Sequence, residues 1–134
     1  MPGAVTFTIP GKPFAKQRPR FSRKSGRAFT PGQTVSFERQ VGQIAVPLFP
    51  APIEGPVRLT VTAVFEPAAS WSNKKRLAHL GRPHTQKPDL DNLEKAVLDG
   101  LNRIAFADDA QVADVRKEKR WGERAETIVT VEAI

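Results

Sequence analysis

Four aspartates in a basic chain are the residues best suited to chemistry. Asp89 and Asp91 stand two apart in KPDLDN, and Asp108 and Asp109 are adjacent in FADDAQ. None of the four has an obvious basic partner. Hard carboxylate oxygens at this spacing suit Mg²⁺ or Mn²⁺, ions that also accept phosphate oxygens and keep several waters. Pro88 biases Lys87 toward extended geometry, and two aspartates two apart on an extended approach can point to one side. Asp91 then sits at a helix entry. Lys95 lies four residues on, on the same helix face, where it could stabilise charge on a phosphate or a leaving oxygen. Adjacent carboxylates repel, so one of Asp108 and Asp109 is expected to gain a cation.

Plainer readings exist for each. Asp91-x-x-Glu94 has the form of a capping box, and an aspartate after proline is an ordinary turn residue. Lys95 could pair with Asp91 or with Asp99, and Asp99 is the expected structural partner. Asp108 could cap a turn.

The surroundings favour a polyanion as partner. The chain has 134 residues and a formal charge of +7. Charge of that size favours phosphate-rich ligands through counterion release. Between Lys12 and Arg27 lie seven basic residues and no acidic one. Lys12, Lys16, Arg18 and Arg20 are therefore expected on phosphates, as are Lys74, Lys75, Arg76 and Lys87 in the second basic stretch. Phe14, Phe21 and Phe29, interleaved with the first, are expected to pack on the core. Trp71 could stack on a base or anchor its loop, and anchoring is the expected role; His79 and His84 are taken as loop histidines. Zero cysteines exclude disulfides, cysteine nucleophiles and Cys-based zinc sites, and fit a cytoplasmic protein. No apolar run reaches the ~20 residues of a membrane span, and the start lacks a signal-peptide pattern.

Positioning these groups requires a sheet and helices. Val5, Phe7 and Ile9 alternate with Thr6 and Thr8, and Val57, Leu59, Val61, Ala63 and Phe65 alternate cleanly, as half-buried strands do. Thr34 to Phe49 predicts a helix capped by Thr34 or Ser36, with Glu38 in its first turn. Ser72 to Leu80 predicts a short helix. Leu93, Val97, Leu101 and Ile104 predict a helix over 90–104. Gln111–Trp121 and Thr127–Val131 predict two strands paired as a C-terminal hairpin. The expected fold is a single α/β (α+β) domain: a mixed sheet of about four strands flanked by two main helices.

KPDLDNLEKAVLDGLN, followed by DDAQV, resembles the RusA family of Holliday-junction resolvases, small endodeoxyribonucleases often carried by phages and prophages. GKPFAKQRPR resembles the basic opening of phage-type members. The resemblance covers most of the chain. It implies a homodimer of mixed α/β fold that cuts branched DNA with Mg²⁺ or Mn²⁺, with no small-molecule cofactor. It makes Asp89, Asp91 and Asp109 metal ligands, Lys95 the active-site lysine, and Asn92 and Asp108 supporting residues. Competing readings are a non-catalytic nucleic-acid-binding module whose aspartates are helix caps, and an interaction protein with incidental charge.

Overall fold

A computed structural model describes residues 3–17, 20–29 and 32–134. Arg18, expected on phosphate, lies outside them. Of Arg20 the backbone alone is described, in a short ribbon of β2 (Arg20–Phe21) against β3 (Ala28–Phe29).

The best-patterned segment becomes the middle of the sheet. β4 (Val57–Phe65) buries Val57, Leu59, Val61 and Ala63 completely or nearly so. It pairs antiparallel with β6 (Glu126–Ala133) on one side and parallel with β5 (Val112–Trp121) on the other. β1 (Ala4–Pro10) adds to β6, giving the order β1-β6-β4-β5. This is the expected mixed four-stranded sheet.

One expected pairing is wrong. β5 and β6 do not form a hairpin, because β4 lies between them. Residues 122–125 arch over the carboxyl end of β4. The Gly122 amide donates to the Phe65 carbonyl (2.9 Å), and the Ala125 amide donates to Glu66 Oε1 (3.1 Å). A short connection normally joins neighbouring strands. Here the more apolar β4 takes the buried central place, and the turn is tied down to its last residues instead.

Two helices cover one sheet face. α1 (Gly32–Ala45) starts earlier than expected, so Thr34 is not its cap but a buried residue inside it. α1 stops at Ala45, and a 3₁₀ turn containing Pro47 follows. α3 (Leu90–Leu101) ends three residues before Ile104; Asn102 is its C-cap and Arg103 takes φ 70°. Phe37, Val41 and Ala45 of α1 and Ala96, Val97 and Leu101 of α3 join the inner sheet residues in one core. α2 (Asn73–His79) matches expectation: the Lys75 amide donates to Ser72 Oγ (3.1 Å) at its N-cap. The opposite sheet face is polar. There Thr6 bonds Thr130 (2.9 Å), and Arg58 donates to Asp114 (2.6 Å) and Glu132 (3.3 Å). No helix is long and apolar enough to cross a membrane among the described residues.

The 67–88 connection is better fixed than a loop of its length suggests. Residues 81–84 run along β5, with the Trp121 amide on the Arg82 carbonyl (2.9 Å) and the His84 amide on the Lys119 carbonyl (3.0 Å). That covers part of an otherwise open strand edge. His84 lies on this connection, as expected, but is buried in it, whereas His79 is the last residue of α2 rather than a loop residue. The His84 ring is 6% exposed and stacks on Phe65, with centroids 4.0 Å apart. Burial, with Lys119 adding to it, pushes its pKa below the usual histidine value.

Two predictions follow from packing. Gly100 sits where α3 crosses α1, and a Cβ there would stand 2.8 Å from Val41 Cβ. Gly100→Ala gains about 1 kcal/mol of helix propensity but costs about 1–3 kcal/mol in overpacking, so urea denaturation should show a net loss. Because folding lowers the pKa of His84, the unfolded chain takes up its proton first as pH falls. Thermal stability should be full above the ordinary histidine value of about 6.5, and decline below it until the folded-state pKa is passed. His84→Phe, which keeps a ring at that position, should flatten that part of the pH profile.

Candidate active site

The start of α3 is held by two lysines of β5. Lys117, Lys119 and Trp121 alternate with exposed residues, so all three face α3. Lys119 Nζ donates to the carbonyls of Gln86 (2.6 Å) and Pro88 (2.8 Å), fixing the approach to the helix. Lys117 Nζ donates to Asp91 Oδ1 (2.8 Å) and Glu94 Oε1 (2.6 Å). Asp91 therefore does have a basic partner, 26 residues away in sequence.

The capping box does not form. Asp89 is the N-cap by backbone geometry, but its side chain makes no capping bond. Its Oδ1 instead accepts from Asn92 Nδ2 (2.7 Å), which orients the carboxylate. Asp91 lies in the first turn with its side chain 87% exposed. The hydrogen bond and charge of Lys117 hold the Asp91 carboxyl below the usual carboxylate range, and Asp91 and Glu94 together raise the Lys117 pKa. The helix dipole favours negative charge at the same end.

One turn further on, Lys95 pairs with Asp99 (3.1 Å), its expected partner, and remains half exposed. Lys16 differs from expectation. Its ammonium bridges Glu38 of α1 (2.7 Å) and Asp99 of α3 (3.0 Å), while its amide donates to the Asn92 carbonyl (2.9 Å). Burial works against its charge, but the bonds to Glu38 and Asp99 outweigh this and raise its pKa. Lys16 is thus a clamp between segments rather than a free phosphate contact.

Asp108 and Asp109 lie at the other end of the molecule. They precede β5 at a 3₁₀ turn, Asp109–Gln111. Gln111 Oε1 accepts from the Ala107 (2.9 Å) and Asp108 (3.1 Å) amides, and its Nε2 donates to the carbonyls of Ile53 (2.8 Å) and Gly55 (3.0 Å), just before β4. α3 runs antiparallel to β5, with Asp91 over Lys117 and Asp109 beyond Val112. Five strand residues at ~3.3 Å each separate those positions by about 17 Å. Accordingly, among the described residues no three carboxylates or histidines of one chain approach closely enough to share an ion. Asp89 and Asp91 share the start of α3, where Asp89 accepts from Asn92 and Asp91 from Lys117, and Asp109 lies apart from them.

Basic groups surround the Asp89 end. Lys87, beside Asp89, is exposed, and with Lys12 it borders an open groove of about 1030 Å³ between residues 10–15 and α1. Phe14 stacks on Phe37 in its wall (5.0 Å), as expected of a core-packed ring. α2 presents Lys74 and Lys75 to solvent, with Arg76 partly covered. It is seated on Trp121 through Trp71 (4.9 Å) and His79 (6.0 Å). Lys117 and Lys119 were missed from sequence, although their alternation with Trp121 placed them on the buried side. Glu94 was seen only as a cap.

A small α+β domain that surrounds outward-facing carboxylates with cations is built to act on a polyanion. The chain belongs to the RusA endodeoxyribonuclease family, whose model matches residues 10–132. Membership implies an endonuclease of the Holliday-junction-resolvase type. The chain is also 35% identical, over 138 aligned positions covering 97% of it and 96% of the relative, to the uncharacterized protein YqaN of Bacillus subtilis (strain 168).

The Lys117 contacts give a test of the local electrostatics. In Lys117→Met, NMR titration should show Asp91 losing its charge at higher pH than in the natural chain, near the ordinary carboxylate value. Since a depressed carboxyl pKa contributes stability above the unfolded value and loses it as pH falls through the folded one, the variant should also show a smaller acid-limb loss. Faster amide exchange over 89–94 should accompany it.

Proposed function

We propose that this protein is a metal-dependent endodeoxyribonuclease that hydrolyses phosphodiesters in branched DNA, four-way junctions above all, and makes paired nicks as a homodimer. The observation that carries this reading is the start of α3. Asp89 and Asp91 direct their carboxylates outward rather than onto the helix amides, amid Lys12, Lys87 and the basic helix α2.

The donor set fits Mg²⁺ or Mn²⁺. It consists of hard oxygens, and the single Lys117 ammonium offsets only one of the two charges of Asp91 and Glu94, so negative charge remains there for a cation. Mg²⁺ commonly binds one or two carboxylates and keeps several waters. Asp89 and Asp91 would hold it, and Asp109 would be the third ligand. Within one chain Asp109 is a helix length away, so it would come from the second copy of a symmetric dimer. The bound ion would supply charge stabilisation at the phosphate and a water ionised near neutral pH. Asn92 keeps Asp89 oriented. Lys95, half exposed above Asp99, would stabilise charge on the phosphate or leaving oxygen. Lys12, Lys74, Lys75, Arg76 and Lys87 would grip backbone, which positions DNA without reading sequence. Two-fold symmetry would bring two such sites to strands of related polarity.

A non-catalytic binding module remains the competing reading. It takes the aspartates as caps, and the bonds it requires are not made by Asp89. Cleavage of a synthetic four-way junction and of a linear duplex, each with Mg²⁺, Ca²⁺ or EDTA, decides between them. The expected result is Mg²⁺-dependent cutting of the junction in preference to the duplex. Asp91→Asn should lower cutting about 10²–10³-fold, the scale of losing one charge-stabilising group, and leave junction binding intact. Unchanged cutting by that variant would remove Asp91 from the site.

Shared sites have their own signature. Asp91→Asn and Asp109→Asn should each cut only weakly alone. Mixed, they form heterodimers in which one site regains all its carboxylates, so single nicking should recover on a cruciform plasmid without paired cuts. No recovery on mixing, with heterodimers present, would place all ligands on one chain.

A further inference from the structure

A second cavity opens at the carboxyl ends of the parallel strands β4 and β5. Phe65, Trp71, His84 and Trp121 wall it, and its volume is about 210 Å³. That is below the ~300 Å³ of the smallest drug-sized sites, and suits one flat ring system. The rings are tilted rather than stacked face to face. Trp71 meets Trp121 at 52° (4.9 Å), and His84 meets Trp121 at 52° (4.4 Å), so these rings touch at an angle and the cavity opens beside them. The mouth carries Lys12, Gln86 and Lys87, with Glu66 also lining it and accepting from the Ala125 amide (3.1 Å). Lys75 Nζ stands over the Trp71 ring, 4.3 Å from its centroid.

Its position relative to the carboxylates matters most. Lys87 also lines the neighbouring cavity of about 380 Å³ formed with Pro88, Asp89 and Asn92. One side chain thus separates an aromatic slot from the acidic site. An aromatic slot rimmed by cations, one nucleotide's reach from a phosphate-processing site, has the chemistry of a base receptor. Aromatic faces stack on any base, and neighbouring lysines take the backbone.

We propose that this cavity receives a single unpaired nucleobase of bound DNA, stacked on Trp71, from a nucleotide next to the one whose phosphate lies at Asp89. The inference rests on the nuclease reading and supplies its means of selecting structure. Extracting a base from an intact duplex requires breaking its pair and both stacks, whereas a base at a branch point is already poorly held. The slot therefore favours branched over linear DNA with no contact that reads sequence. Stacking of one base on an aromatic ring is worth roughly 10- to 100-fold in affinity.

The test uses the natural chain on a four-way junction with Ca²⁺ in place of Mg²⁺. 5-Bromodeoxyuridine is placed in turn at each nucleotide flanking the branch point, and crosslinked peptides are mapped after long-wavelength irradiation. Crosslinking to Trp71 from one or two adjacent nucleotides is expected, and none from the same strand in a linear duplex. Trp71→Ala should weaken junction binding about tenfold more than duplex binding, and Trp71→Phe, which keeps a ring, should recover most of the loss. An abasic nucleotide at the crosslinking position should cost the natural chain as much as Trp71→Ala does, and cost Trp71→Ala nothing further. Additive losses, or crosslinks confined to other residues, would overturn the proposal. If the natural chain does not prefer the junction to the duplex at all, the substrate reading fails first. If it does prefer the junction while Trp71 stays silent, the base slot alone fails.

Discussion

Two ammonium groups on one face of a strand decide where α3 begins. Lys119 takes the last carbonyls before the helix, and Lys117 takes two carboxylates of its first turn. Both point inward because β5 alternates, and Trp121, in phase with them, closes the same face with an aromatic ring. The carboxylates are therefore anchored to the rigid sheet and not only to a helix end. A helix N-terminus already attracts negative charge. The lysines add direction, since an ammonium placed beneath the turn keeps the carboxylates near the carboxyl ends of β4 and β5. The aromatic cluster and the basic helix α2 lie at that same end.

This arrangement places opposing demands on charge. A chain of net charge +7 must keep enough free cations for a polyanion, yet several lysines are used internally. Lys16 joins α1 to α3, and Lys117 and Lys119 secure the helix start. The groups left for solvent, such as Lys12, Lys74, Lys75 and Lys87, surround the acidic end rather than neutralise it. Exposed surface pairs contribute little, whereas a lysine bridging two elements determines how those elements meet. The internal set thus shapes the domain, and the external set shapes its field.

Much of this was legible in the residue pattern. β4 declared itself by clean alternation and α3 by its apolar stripe, and the short helix α2 was expected over 72–80 with Ser72 or Asn73 as its cap. The Lys95–Asp99 pair followed from helical spacing alone. Partners that depend on three-dimensional neighbours were not legible. Lys16 reads as one more cation in a basic run until α1 and α3 bring Glu38 and Asp99 to it. Asp91 reads as a cap until β5 supplies Lys117. The C-terminal strands read as a hairpin because a short turn is a local signal, while the burial that draws β4 between them is a property of the whole sheet. His84 reads as a solvated loop residue because nothing local announces that Phe65 and Trp121 will enclose it. The separation of Asp109 from Asp89 was likewise invisible, since it depends on α3 running back along β5.

The arch over β4 also bears on how the chain reaches its native state. Strands joined by a few residues normally zip together within microseconds as an independent unit. β5 and β6 are denied that route, because the strand that must separate them was made more than forty residues earlier in the chain. Native order requires β4 to be caught between two segments that close around it, so the decisive contacts join distant parts of the sequence. Topologies dominated by such contacts fold slowly relative to their size. During synthesis β4 emerges long before either neighbour, an apolar strand with both edges open until β5 and β6 have followed it.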